Sequence, residues 1–213
     1  MITRRSLLGL SCAAVVGPLF GSSRVWAGQT APLPIPIPIP TLPLVISLAE
    51  EDETPVVNEV WIAEQLAEVS RLYTPIGLSF QKEPGAKLPA SMARLETRDD
   101  RDALASHLFA KKINVMIVSS LRDVDDPKLL RMGVHWRHRK KPAKHWVIVA
   151  ASARPSTLAH ELGHFFGLDH SSVTDNVMSY SRTGAPPFLN DKQIERVKSM
   201  ARMYVSSKLI TQV

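Results

Sequence analysis

Apolar positions recur along this chain with two periods, and their order predicts an α/β domain. Over residues 56–73, Val57, Val60, Trp61, Ala63, Leu66, Ala67 and Leu72 fall at helical spacing and predict one long helix. Pro75 and Gly77 close it. Short apolar runs predict strands at 44–48, 78–81 and 146–151. The run Ile113–Val118 has the continuous apolar character of a buried strand. Residues 99–109 suggest a second helix with a solvated charged face, and 133–139 suggest an edge strand. A further helix begins near Ser156, an N-cap candidate after Pro155. The last helix covers 190–206, with Asn190 or Asp191 as its cap.

The first 43 residues do not fit that pattern. Arg4 and Arg5 precede a moderately apolar run, Leu7 to Phe20, that is too short to span a membrane convincingly. Val25, Trp26 and Ala27 then offer a small-residue cleavage site. Residues 1–27 therefore resemble a twin-arginine export signal, with a general-secretion signal as the alternative, and the expected destination is periplasmic or extracellular. Cys12 is the only cysteine and lies inside this leader, so the mature chain is expected to hold no disulfide. Residues 28–43 are proline-rich, which favours extended polyproline II and reads as a linker or short pro-segment. The folded domain is then expected over 44–213.

Charge adds little. The chain has 26 Lys and Arg against 20 Asp and Glu; without Arg4, Arg5 and Arg24 the balance is 23 − 20, or +3. That is too mild to argue for nucleic acid. No partner chain or oligomeric state can be read from it.

The chemistry is concentrated in residues 160–170, which hold His160, Glu161, His164, Gly167 and His170. His160 and His164 are four residues apart, one helical turn, and can share one metal ion. A continued helix would carry His170 about 9 Å further on and to the wrong side. The chain must therefore stop and turn back, and Gly167 stands where a left-handed helix end is needed.

This spacing, H-E-x-x-H-x-x-G-x-x-H, resembles the metzincin zinc peptidases. Met178, within Asn176-Val177-Met178-Ser179-Tyr180, supplies a candidate for the family's methionine turn. Ser171 after the third histidine, and the gap to Met178, are similar to the matrixin branch. The resemblance implies a mixed twisted sheet with helices on one side, a zinc helix and a small C-terminal subdomain after Gly167. It implies that His160, His164 and His170 hold one catalytic Zn²⁺, that Glu161 is the general base, and that Met178 is a floor beneath the ligands. Tyr180 would be a pocket wall or core residue, or a fifth ligand or oxyanion donor as in some branches. The substrate would be a peptide lying along the edge strand from Gly133 to Arg139. The implied activity is that of an exported zinc endopeptidase. A non-catalytic zinc-binding module and a zinc amidase acting on cell-wall peptide remain as alternatives.

Three smaller expectations follow. Many metzincins are held latent by a cysteine or acid on the zinc; residues 28–49 contain no Cys, Asp, Glu or His, so no such switch is expected there. Asp123, Asp125 and Asp126 are a weak Ca²⁺ signal, better read as a solvated loop. The basic run 131–145 reads as edge protection or attraction of acidic substrate, and no spacing recommends His135, His138 or His145 as metal ligands.

Overall fold

The computed structural model describes residues 40–213. The expected export signal, and residues 28–39 of the proline-rich segment, lie outside the described residues. In chain order the first elements are β1 (Thr41–Glu51), β2 (Thr54–Pro55), α1 (Glu59–Tyr73), β3 (Ser79–Leu88), β4 (Arg94–Leu95) and α2 (Arg98–Ala103). They are followed by β5 (Ile113–Val118), β6 (Ser120–Leu121), β7 (Gly133–Arg137), β8 (His145–Ala150), α3 (Thr157–Phe165) and α4 (Asp191–Ser206).

The main sheet runs β3-β1-β5-β8-β7, and β2 folds back antiparallel onto the end of β1. β3, β1, β5 and β8 are mutually parallel. β7 pairs antiparallel with β8 and forms one edge. One face of the sheet carries Leu44, Ile46, Val115, Ile117, Val147 and Val149 into a core shared with α1, α3 and α4. The other face carries Met116, Val118, Trp146 and Ile148 into a second core. Leu95, Leu104 and Leu121 cover that second core, from the segment that runs through β4, α2 and β6. The expectation of helices on one side thus holds for the long helices alone. The fully buried β5 is apolar on both faces, and each face needs a cover.

Four boundaries differ from the sequence reading, each for a local reason. β1 starts at Thr41, inside the expected linker. Pro43 is tolerated because pairing to β5 begins only at Leu44, so its missing N–H leaves no gap in that ladder. β3 does not stop at Gln81 but continues past Pro84 and Gly85 through a bulge opposite Ser47. There Ala86 N–H donates to Ser47 Oγ at 3.0 Å. The expected helix over 99–109 is α2 followed by a 3₁₀ turn, Leu104–His107, and α2 opens on a capping box between Thr97 and Asp100. The edge strand ends at Arg137, because Arg139 turns away to pair with Asp99 and with Asp102 (2.7 Å).

The buried face of α1 also differs. Ile62, Gln65, Val69, Leu72 and Tyr73 face inward, while Val60 is 67% exposed and Ala63 and Ala67 are exposed. Alanine and valine positions alone did not fix the stripe. Gln65 and Tyr73 turn inward because their polar ends find partners on α3.

Candidate metal centre

α3 carries His160 and His164, and its two ends are fastened by residues from elsewhere. Ser156 occupies the N-cap position but is helical in backbone and makes no side-chain cap. The cap comes from Gln65 of α1, which is 2% exposed. Its Oε1 accepts from Leu158 N–H (3.0 Å) and its Nε2 donates to Arg154 O (2.8 Å). At the other end Gly167 takes φ +78°, Leu168 N–H donates to Gly163 O, and Gly167 N–H donates to His164 O, both at 2.9 Å. This Schellman closure reverses the chain and brings His170 back to the first two histidines. The hydroxyls of Tyr73 and Tyr204 donate to Ala159 O and Phe165 O, tying the helix to α1 and α4.

The three imidazoles converge through Nε2. His164 Nε2 lies 3.1 Å from Nε2 of both His160 and His170. His160 Nδ1 is 2.7 Å from Val177 O, and His164 Nδ1 is 2.7 Å from Leu168 O. A carbonyl can only accept, so both Nδ1 atoms carry hydrogen and, in the neutral rings, both Nε2 atoms are bare lone pairs. Two bare lone pairs 3.1 Å apart cannot bond each other; a shared cation resolves the contact. Tetrahedral zinc with ordinary Zn–N bonds sets its nitrogen ligands about 3.3 Å apart, so the donors fit that ion. Burial holds the His160 pKa down to about 4, against a small upward pull from the Val177 carbonyl, and burial also lowers that of His164. Both rings are therefore neutral at pH 7, the form that ligates metal. Among the described residues this is the group of side chains spaced to hold a metal ion.

Met178 is fully buried against α3, and Gly163 makes room for it: a Cβ there would lie 2.4 Å from Met178 Sδ. The turn is held by Asn176, whose Oδ1 accepts from Met178 N–H (3.0 Å) and from Gln193 Nε2 (2.9 Å), while its Nδ2 donates to Gln193 Oε1 (2.7 Å). Gln193 also closes the capping box of α4 with Asn190.

Glu161 is buried beneath the edge strand. A Cβ on Gly133 would lie 2.8 Å from Glu161 Cγ, so that glycine clears the space the glutamate fills. Burial raises the Glu161 pKa to about 8, while the His135 backbone N–H and the charge of Arg131 pull it down. Tyr180 is not a core residue: it is 70% exposed and its hydroxyl lies 2.7 Å from His170 Nε2. These groups line one cleft of about 960 Å³ with β7 along its rim.

The other candidates have structural partners. Asp123 is buried, not solvated. Its carboxylate accepts from the N–H groups of Asp125 and Asp126 and pairs with Arg131, and those bonds hold its pKa down to about 2. His135 Nε2 and His145 Nδ1 hydrogen-bond to each other at 2.8 Å, and His145 stacks on Phe165. Burial lowers their pKa values to about 3 and about 4. His138 lies 3.9 Å from Asp102. The sequence reading missed Gln65, Gln193 and Gly163 as parts of the site, and placed Gly133 on the substrate strand without its role of making room for Glu161. Only Asn190-x-x-Gln193 carried a readable signal, as a capping box.

The fold recurs among solved metallopeptidases. Mature mirolysin of Tannerella forsythia, in complex with a cleaved peptide, has a TM-score of 0.60 at 10% identity over 82% of this chain and 99% of that one. A promirolysin mutant from the same organism has a TM-score of 0.61 at 11% identity, over 81% and 86%. Metalloproteinase-II of Bacteroides fragilis has a TM-score of 0.52 at 18% identity; the match spans 76% of this chain and 53% of that one, about half its length. No protein-family model and no curated protein matches the sequence. At this level of identity the likeness establishes architecture: the chain has the metzincin-type zincin fold.

Proposed function

We propose that the protein is a zinc-dependent endopeptidase. The observation that carries this is the convergence of three imidazole Nε2 atoms, bare on His160 and His164, in a cleft shared with a buried glutamate and a strand edge unpaired among the described residues. His160, His164 and His170 would hold the ion. When bound, zinc supplies Lewis acidity, which lowers the pKa of a ligated water towards about 7 and polarises a scissile carbonyl.

The chain's own groups would do the rest. The outer edge of β7 pairs with an extended peptide through backbone hydrogen bonds, which fixes the peptide across the cleft with little dependence on sequence. Glu161 accepts a proton from the attacking water and passes it to the departing amine. Its carboxylate ionises more readily beside a divalent cation than its burial alone allows. Tyr180 is placed to donate a hydrogen bond to charge developing on the carbonyl oxygen, once its hydroxyl leaves His170 Nε2. That last step is required because one lone pair on His170 cannot serve both the hydroxyl and a metal ion.

Residues 1–27 would direct export, residues 28–40 would link signal to domain, and the domain would act outside the cytoplasm. Peptide cleavage by zinc-loaded protein tests the function. A broad peptide library should be cut by the loaded protein. Cutting should stop with a chelator, return with zinc, and be lost in His164→Ala together with the metal. A fully loaded protein that cuts nothing in the library would leave a binding module or a narrow amidase as the better reading.

A further inference from the structure

The cleft is not uniformly charged, and the imbalance falls beside His160. Arg131 pairs with Asp123, Arg101 lies 4.9 Å from the centre of the Trp136 ring and donates to Arg122 O, and Asp125 pairs with Arg98. Arg154 and Arg182 line the same cleft and, among the described residues, neither has a carboxylate within ion-pairing distance; Arg137, also in the lining and without an ion pair, turns to Pro142 O (3.4 Å). Asp169 also lines the cleft but pairs with neither. Asp175 is close enough to act on Arg182 by charge, yet its oxygens accept from Thr183 N–H (2.8 Å) and Thr183 Oγ1 (2.5 Å).

Arg154 is fixed by its backbone and Arg182 by its side chain. The carbonyl of Arg154 accepts from Gln65 Nε2 and from Thr157 N–H (2.9 Å), which fixes the root of its side chain at the start of α3. Arg182 donates Nη1 to Asn176 O (2.6 Å) and Nη2 to Val177 O (3.1 Å). Val177 O is the carbonyl that orients His160, so the Arg182 guanidinium stands directly behind that ring. Burial lowers the pKa of Arg182, and the nearby Arg154 lowers it further. Two guanidinium groups that line one cleft, feel each other's charge and have no ion-paired carboxylate favour an anion between them; among the described residues the Arg154 guanidinium makes no hydrogen bond, and its forked donors suit a carboxylate. Ser156 adds an uncapped hydroxyl to the same wall.

We propose that Arg154 and Arg182 form a carboxylate-binding subsite beside the metal centre, so that the preferred peptide places a carboxylate there. Its source is either an acidic side chain or a free C-terminus. The consequence for cleavage rests on the endopeptidase reading; the binding itself does not.

The test is therefore a binding measurement on the zinc-loaded Glu161→Gln protein. Fluorescently labelled extended peptides carry Glu, Gln or Lys at each position in turn, each with a free or an amidated C-terminus. At one position Glu should bind about tenfold or more tightly than Gln, as a charge-assisted hydrogen bond implies. If the terminal acid is the ligand, the free-acid and amidated forms should differ by that factor instead. Adding Arg154→Glu should reverse the preference towards Lys, and Arg182→Gln should weaken it. A merely structural role for Arg154 would not produce that reversal. Equal binding of Glu, Gln and Lys peptides in both terminal forms overturns the subsite. So does the absence of binding, or a preference that survives both substitutions. Acidic peptides that bind by way of Arg154 but are never cut by the wild type would sink the endopeptidase reading and leave the subsite standing.

Discussion

At the scale of single residues, the decisive feature is which nitrogen of each histidine is free. The Val177 and Leu168 carbonyls fix the tautomers of His160 and His164 and leave Nε2 bare on each. Tyr180 engages the third histidine, with its hydroxyl 2.7 Å from His170 Nε2. Tyr180→Phe should therefore bind zinc at least as tightly as the wild type. It should also lose roughly tenfold or more in kcat with little change in KM, the pattern of an interaction made in the transition state. A Tyr180→Phe enzyme with unaltered kcat would remove the hydroxyl from the reaction. The side chains of the motif were legible in the sequence because their chemistry and spacing coincide. The hydroxyl was not, since Tyr180 read first as a pocket wall or core residue.

At the scale of elements, the site depends on contacts far apart in sequence. α3 borrows its N-terminal cap from Gln65 on α1, 93 residues before Leu158. Gln65→Leu matches the buried neighbourhood but leaves Leu158 N–H without a partner, while Arg154 O keeps only Thr157 N–H, and should destabilise the fold by about 1–3 kcal/mol. Asn176→Ala, which leaves Gln193 Nε2 without its partner and frees the methionine turn, should cost a similar amount and also weaken zinc retention. Urea unfolding of the metal-free proteins, with zinc affinity measured alongside, checks both; wild-type stability in either variant would contradict the assignment. Local pattern predicted Ser156 as the cap and, around α1, caught Leu72 and the flanking Val57, Trp61 and Leu66 but missed Ile62, Gln65, Val69 and Tyr73. Neither could have been read locally, because inward-facing Gln65 and Tyr73 make sense only once α3 is in place. The bulge at Gly85 escaped notice for the same reason, as its partner Ser47 lies on another strand. The Gly167 turn was readable because its cause lies within a few residues.

At the scale of the whole molecule, the buried neutral histidines set an acid limit. The pKa values of His135, His145 and His160 lie at about 3, 4 and 4 in the folded chain, below the ordinary value of about 6.5. Between those values the unfolded chain binds more protons, so stability is complete above pH 6.5 and falls as pH drops towards 4. Glu161 acts in the opposite sense. Its raised pKa of about 8 makes its contribution complete below about 4.5 and lost as pH rises through 8. Metal-free Glu161→Gln protein isolates the histidines. Its melting temperature should fall steadily from pH 6.5 to 4, and less steeply when His145→Phe is added. A flat profile over that interval would contradict neutral burial.

The central claim joins a bound zinc ion to a glutamate that moves a proton without ligating the metal. Zinc content and peptide cleavage, measured on the same samples of wild type and Glu161→Gln, test it most directly. The variant keeps the size of the side chain but cannot take up a proton at neutral pH. Both proteins should hold about one zinc per chain, as three histidine ligands imply, and the variant should cleave about 10²-fold more slowly or worse. Equal cleavage by the two proteins, or loss of zinc from the variant, would contradict the account.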